Sequence, residues 1–313
     1  MRFDDRLPAI LAGTAISSAM VITLPPTAVA LTGVEVNEIA RAVTVLIVGE
    51  TKNSIGHGSG AIIAKDGDTY YVLTNQHVVS GWDKMTLVAP DKQAYEVNPD
   101  TVKPLPGVDL AVVEFTSKKE YQVAKLANSQ LAKEGQDVFI SGWPEPGSTG
   151  QLIRQFTDGR ISGFLDRPVE GYQMIYTNVT RRGMSGGPVL DAGGRVIAIH
   201  GWGDYEDSSK LTEIEGMTDE AAANIARLIK PGFNYAIPIN TYLQLAPQAG
   251  IYLGVKVENS AAPGLGEPYV SQEPDSDDVI DDLNDTLSSV NRVLNTVNDG
   301  ANTIRRICGL FGC

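Results

Sequence analysis

Between residues 43 and 127 the chain alternates short apolar runs with polar breaks: VTVLIVGE, GSGAIIAKDG, TYYVLTNQHVV, MTLVAP, AYEVNP and VDLAVVEF. The runs are rich in Val, Ile, Thr and Tyr and are split by Gly, Pro, Asn and Asp, the pattern of short antiparallel strands with tight connections. A second set runs from Asp137 through DVFISGW, RQFTDGRISGF, YQMIYTNV, GGPVLDAGGRVIAIHGW and NYAIPI. Dense short strands with little helical periodicity predict an all-β chain built as two six-stranded antiparallel barrels. The seam is expected in the polar stretch 127–135, giving units 31–130 and 131–255.

The two ends of the chain follow other patterns. Arg2 and Arg6 precede an apolar run from Ala9 to Leu24 and a small-residue site at Ala28-Val29-Ala30, the layout of a secretory signal peptide cleaved after Ala30. Export to the periplasm or the extracellular space is the corresponding expectation. After Gly254 the composition turns to Pro, Gly, Ser and acid, and 256–278 reads as a linker. Ile280, Leu283, Leu287, Val290, Leu294, Val297, Ala301 and Ile304 then recur at steps of three and four, the seam of an amphipathic helix over 279–313. Its mediocre helix formers imply a partner surface. Two readings stay open: homotypic association through 280–304, or packing back on the barrel. The closing CGLFGC allows a small disulfide loop, a bridge between chains or contact with a membrane.

Charge narrows the partners. A formal net charge of −13 excludes a nucleic-acid partner, which needs clustered Lys and Arg. The acid is concentrated: Trp202–Glu220 holds seven Asp/Glu against Lys210 alone, and 256–313 holds ten against four Lys/Arg, so the rest is close to neutral. Within the acidic insertion, 218–230 carries helix-capping signals at Thr218 and Gly232. No spaced ligand pattern accompanies those acids, so neither a metal nor a cofactor is expected. With Cys308 and Cys313 the only cysteines, residues 31–255 fold without a disulfide.

Candidate chemistry rests on three residue types that must converge. A serine hydroxyl is a poor nucleophile until an imidazole removes its proton, and the imidazole needs a carboxylate to fix its tautomer. One of the three histidines, His77, ends the apolar run YVLTNQHVV; Asp109 lies in the turn of GVDLAVVEF; Ser185 is flanked by glycines in GMSGGPV. That setting suits the Gly183 and Ser185 amides to a developing oxyanion. Each is weak alone, but together they stand in the chain order His, Asp, Ser. His57, in GHGSG, reads as a turn residue.

The segments LTNQHVV, VDLAVVEF and GMSGGPVLDAGGRVIAIHG resemble those of bacterial trypsin-like serine proteases, near the glutamyl endopeptidases and the high-temperature-requirement proteases. The likeness covers roughly Ile39–Leu253 and implies the chymotrypsin-like double barrel and peptide or protein substrates. It also implies His77 as general base, Asp109 as its orienter, Ser185 as nucleophile, and the Gly183 and Ser185 amides as oxyanion donors. Met184 stands where pancreatic trypsins carry an activating Asp, so activation through a new N-terminus is not expected. Thr180 and His200, five positions before and fifteen after Ser185, match the offsets at which glutamyl endopeptidases grip an acidic side chain, with Gly201 beside them. An imidazole able to become cationic would suit such a carboxylate; the alternative is a small apolar pocket with His200 merely structural.

Overall fold

The computed structural model describes residues 30–146, 150–203 and 233–264. The signal-peptide segment, the helix expected over 218–230, the helical tail and both cysteines lie outside the described residues.

The first barrel consists of β1 (Thr44–Glu50), β2 (Ile55–Asp66), β3 (Thr69–Thr74), β4 (Lys84–Val88), β5 (Ala94–Val97), β6 (Lys103–Pro104) and β7 (Ala111–Thr116), hydrogen-bonded in the order β5-β4-β1-β2-β3-β7-β6. The second holds β8 (Leu126–Ala127), β9 (Asp137–Gly142), β10 (Gln155–Val169), β11 (Tyr172–Tyr176), β12 (Pro188–Asp191), β13 (Val196–Gly203), β14 (Asn234–Pro238) and β15 (Val257–Glu258). Here β12-β9-β10-β11-β14-β13 run in sequence, and β13 pairs back onto β12, closing a six-stranded ring. The expected two-barrel architecture is present; the strands beyond six per barrel are the two-residue pieces β6, β8 and β15.

Alternation explains where the core sits. Inward residues Val45, Ile47, Val72, Leu87 and Val113 fill the first barrel, and Val138, Ile140, Met174, Val189 and Ala198 fill the second. A further cluster, including Ile63, Leu73, Leu110, Phe139, Tyr172 and Leu190, joins the barrels face to face. The active-site candidates emerge along that junction.

Three boundaries differ from the sequence expectation. Helix α1 (Gly33–Val43) precedes β1, started by a capping box in which the Thr32 hydroxyl accepts from the Glu35 main chain while the Glu35 carboxylate accepts from the Thr32 N–H. Its buried Val36, Ala40 and Val43 join the inter-barrel cluster, and the Leu31 N–H donates to the Ala192 carbonyl at 2.8 Å. The N-terminal segment therefore belongs to both barrels. The chain also enters the second sheet at Leu126, ahead of the expected seam.

The linker begins later than residue 256. Val257–Glu258 pair in parallel with Leu126–Ala127. The cause is Arg195, which is 1% exposed and ion-paired with Asp191 at 2.7 Å. Its remaining donors reach the Ser260 hydroxyl at 2.7 Å and the Ala261 carbonyl at 3.2 Å. A buried guanidinium requires that every donor be met, and residues 258–261 supply the missing acceptors.

Candidate active site

The candidate base, His77, comes from the end of β3. After Thr74 the chain makes a single helical turn, α2 (Gln76–Val79), which carries His77 out of the barrel with its side chain 46% exposed. Asp109 precedes β7 and is 8% exposed. The Asn75 amide donates to its main-chain carbonyl at 2.9 Å, and the Asp109 N–H donates to the Glu170 carbonyl at 2.9 Å. Held in this way, Asp109 accepts the His77 main-chain N–H on Oδ1 at 2.9 Å and the His77 Nδ1–H on Oδ2 at 2.6 Å. Oδ2 also accepts the Tyr172 hydroxyl at 2.5 Å.

These contacts set the protonation state. Burial pushes the Asp109 carboxyl up, but the hydrogen bonds from His77 and Tyr172 outweigh it and hold the group below its ordinary value. An ionised carboxylate only accepts, so the proton of neutral His77 sits on Nδ1 and the lone pair on Nε2.

Ser185 sits on the loop before β12, and the first barrel pins that loop. The Ser59 main-chain N–H donates to the Ser185 carbonyl at 2.7 Å, and the Ser59 hydroxyl donates to the Gly183 carbonyl at 2.9 Å. Gly186 has φ +86°, and a Cβ there would lie 2.0 Å from the Ser59 carbonyl oxygen, so the close approach of loop and strand requires glycine. The Arg182 carbonyl accepts the Glu145 N–H at 2.7 Å. Among the described residues, the Gly183 and Ser185 amides donate to no main-chain acceptor. The Ser185 hydroxyl donates to the Gly201 carbonyl at 3.1 Å.

The sequence reading missed three contributors. Ser59 was legible only as part of the β run GSGAIIAKDG, yet it is the clamp just described. His57 lies within β2, not in a turn, and its Nε2 contacts the Trp143 carbonyl at 3.0 Å beneath the Gly183 loop. Tyr172 had no local signal, because its partner Asp109 is far away in sequence.

The candidate pocket residues are committed to partners within the protein. His200 is 3% exposed; its Nδ1 meets the Tyr176 hydroxyl at 2.5 Å, and its other partner is the main chain of Tyr235. Burial, reinforced by the nearby His77, pushes its pKa down to about 3. The Thr180 hydroxyl donates to Asn234 Oδ1, and Asn234 Nδ2 donates to the Asn178 carbonyl at 2.6 Å. Burial thus favours the neutral form of His200, and the Thr180 hydroxyl is bonded to Asn234. Val179, at the far end of this wall, is 61% exposed.

Residues 58–199 match the family model described as a trypsin-like peptidase domain. Serine protease Do-like HtrB of Bacillus subtilis is 34% identical over 158 residues, 45% of this chain and 32% of the relative. A probable periplasmic serine endoprotease, DegP-like, of Brucella suis is 31% identical over 147 residues, 47% of this chain and 27% of the relative. The chain thus spans about a third or less of the length of these two curated relatives. Among solved structures, the HtrA-type protease AlgW with tripeptide superposes with a TM-score of 0.53 at 20% identity, covering 70% of this chain and 63% of that one. This likeness shows the fold, which is chymotrypsin-like.

Proposed function

We propose that the chain, whose residues 58–199 match the trypsin-like peptidase domain model, is a serine endopeptidase that cleaves peptide bonds through Ser185, His77 and Asp109. The observation that carries this reading is the His77–Asp109 pair, joined by two hydrogen bonds, which leaves Nε2 without a partner from Asp109, together with a glycine-flanked serine whose loop is pinned to the same barrel. In the reaction, the Ser185 hydroxyl turns from the Gly201 carbonyl to His77 Nε2 and attacks the peptide carbonyl. The proton passes to Nε2, and the Gly183 and Ser185 amides donate to the oxyanion. Collapse breaks the C–N bond, and the imidazolium returns the proton to the leaving amine. Water, deprotonated by the same imidazole, then hydrolyses the acyl-enzyme.

We further infer that the residue before the cut is small and uncharged, not acidic. Thr180 and His200 have already given their donors to Asn234 and Tyr235, and burying a carboxylate without donors is costly. Export rests on the signal-peptide layout of residues 1–30 alone. Assembly through 280–304 rests on the heptad pattern alone.

The test is cleavage of an unbiased peptide library by residues 31–313, with Ser185→Ala alongside. Cleavage by the wild type and a fall of roughly six orders of magnitude in kcat for the variant is the expected result. A wild-type protein that cuts nothing and resists a fluorophosphonate label at Ser185 would overturn the reading.

A further inference from the structure

Tyr172 is fully buried at the start of β11 and spends its hydroxyl on the oxygen of Asp109 that also receives His77 Nδ1–H. Its ring is stacked on Trp202, with centroids 4.2 Å apart and planes 21° off parallel. Behind the hydroxyl lies Gly201, where a Cβ would fall 1.9 Å from the phenol oxygen and 2.6 Å from its ring carbons. Residue 201 has no side chain because the tyrosine hydroxyl fills that space, and the carbonyl of the same residue holds the Ser185 hydroxyl. A single backbone position thus separates the donor to Asp109 from the nucleophile.

We propose that Tyr172 is a positioning residue of the catalytic apparatus: its hydroxyl, wedged between Gly201 and Asp109, fixes the carboxylate that orients His77. The inference rests on the proposed peptidase reading. A phenol in this site stays a donor, because burial and the neighbouring Asp109 charge raise its pKa far above its ordinary value. With the His77 main-chain N–H and Nδ1–H, it brings the donors on the two carboxylate oxygens to three. Carboxylate rotation, which would break the Nδ1 contact, then requires breaking the other two bonds together.

The arrangement also tempers the base. A donor on Oδ2 withdraws charge from the oxygen that faces the imidazole, so less negative charge is available to stabilise the imidazolium. The other titratable groups around this cluster are Glu170 on the β10–β11 turn, Tyr176 on β11 and His200 on β13; Glu170 and Tyr176 act on Tyr172, and His77 acts on His200. None of them donates to Asp109.

Tyr172→Phe keeps the ring on Trp202 and removes only the hydroxyl. On a peptide that the wild type cuts, kcat is expected to fall about tenfold with KM unchanged. The acid-side midpoint of the kcat/KM profile is expected to rise by roughly half a pH unit. A second readout needs no turnover: in a Ser185→Ala background the downfield NMR resonance of the proton shared by His77 and Asp109 should move on Tyr172→Phe. A merely structural tyrosine would lower the melting temperature and leave both the midpoint and the resonance in place, and that result overturns the proposal. If the wild type itself cuts nothing, the peptidase reading fails, while a shifted resonance would still uphold the positioning of Asp109 by Tyr172.

Discussion

On the base side of Ser185, His77 shares the Asp109 carboxylate with Tyr172; on the pocket side, His200 shares a hydrogen bond with Tyr176, and no carboxylate among the described residues acts on it. Both sites pair an imidazole with a buried phenol, and they end in opposite states. The carboxylate places the His77 proton on Nδ1 and leaves the lone pair on Nε2. The Tyr235 carbonyl takes the His200 N–H, so Nδ1 accepts from Tyr176 and neither nitrogen is left over. Exposure follows the same division, with 46% of the His77 side chain open and His200 at 3%. A histidine's role here is set by whether a charge stands behind it and whether a nitrogen remains free.

The sharpest way to break this contrast is to make the base side neutral. Asp109→Asn keeps the size of the side chain but offers an amide in place of one acceptor oxygen, so the Nδ1–H tautomer loses its support. A fall in kcat of about 10⁴-fold is expected at neutral pH, measured on the same peptide as the wild type. A fall of less than tenfold would mean that Asp109 does not set the tautomer.

Next in size is the response of stability to acid. The His200 pKa lies at about 3 in the folded chain against an ordinary value of 6.5, so the unfolded chain binds the proton first. Stability is therefore complete above pH 6.5 and is lost progressively as pH falls toward 3, by on the order of a few kcal/mol across the window. Asp109 adds its own loss in a lower window, starting near its ordinary 3.8 and extending down to its depressed folded value. Urea unfolding of the Ser185→Ala protein at pH 7 and pH 4.5 leaves Asp109 out, because it titrates lower; His57, whose pKa burial also lowers, contributes in the same window, so the His200 share is read from the His200→Gln variant. The midpoint should drop, and His200→Gln should flatten the drop; equal midpoints at both pH values would show that His200 is accessible to protons in the folded state.

The contrast also marks what the amino-acid sequence makes legible. His77, Asp109 and Ser185 stand in glycine- and asparagine-marked segments whose order and flanking residues are local facts, and the strand pattern places them at the ends of apolar runs. Tyr172 and Ser59 act only through partners 63 and 126 positions away, Asp109 and Ser185, and nothing in either neighbourhood marks them. Thr180 and His200 stand at the expected offsets, but their bonds to Asn234 and Tyr235, reached only by the pairing of β13 with β14, could not be read from the local sequence. Helix α1 is a different omission. Its Thr32–Glu35 capping box is present in the residues themselves and precedes a buried face at Val36, Ala40 and Val43.

The smallest expected effect lies in the pocket, and it tests the comparison most closely. If the Thr180 hydroxyl serves Asn234 and not a substrate, Thr180→Val removes no contact to the bound peptide. Cleavage after Ala, Val, Glu and Asp should keep its ratios within about threefold, with the acidic residues never preferred. The cost appears in folding instead, because Asn234 Oδ1 is left buried without a donor, a loss of about 1–3 kcal/mol. A wild-type preference for Glu that disappears in Thr180→Val would return the pocket to the acidic reading. It would also mean that Thr180 and His200 exchange their internal partners for a substrate carboxylate on binding, giving the pocket side a charge of its own only when occupied.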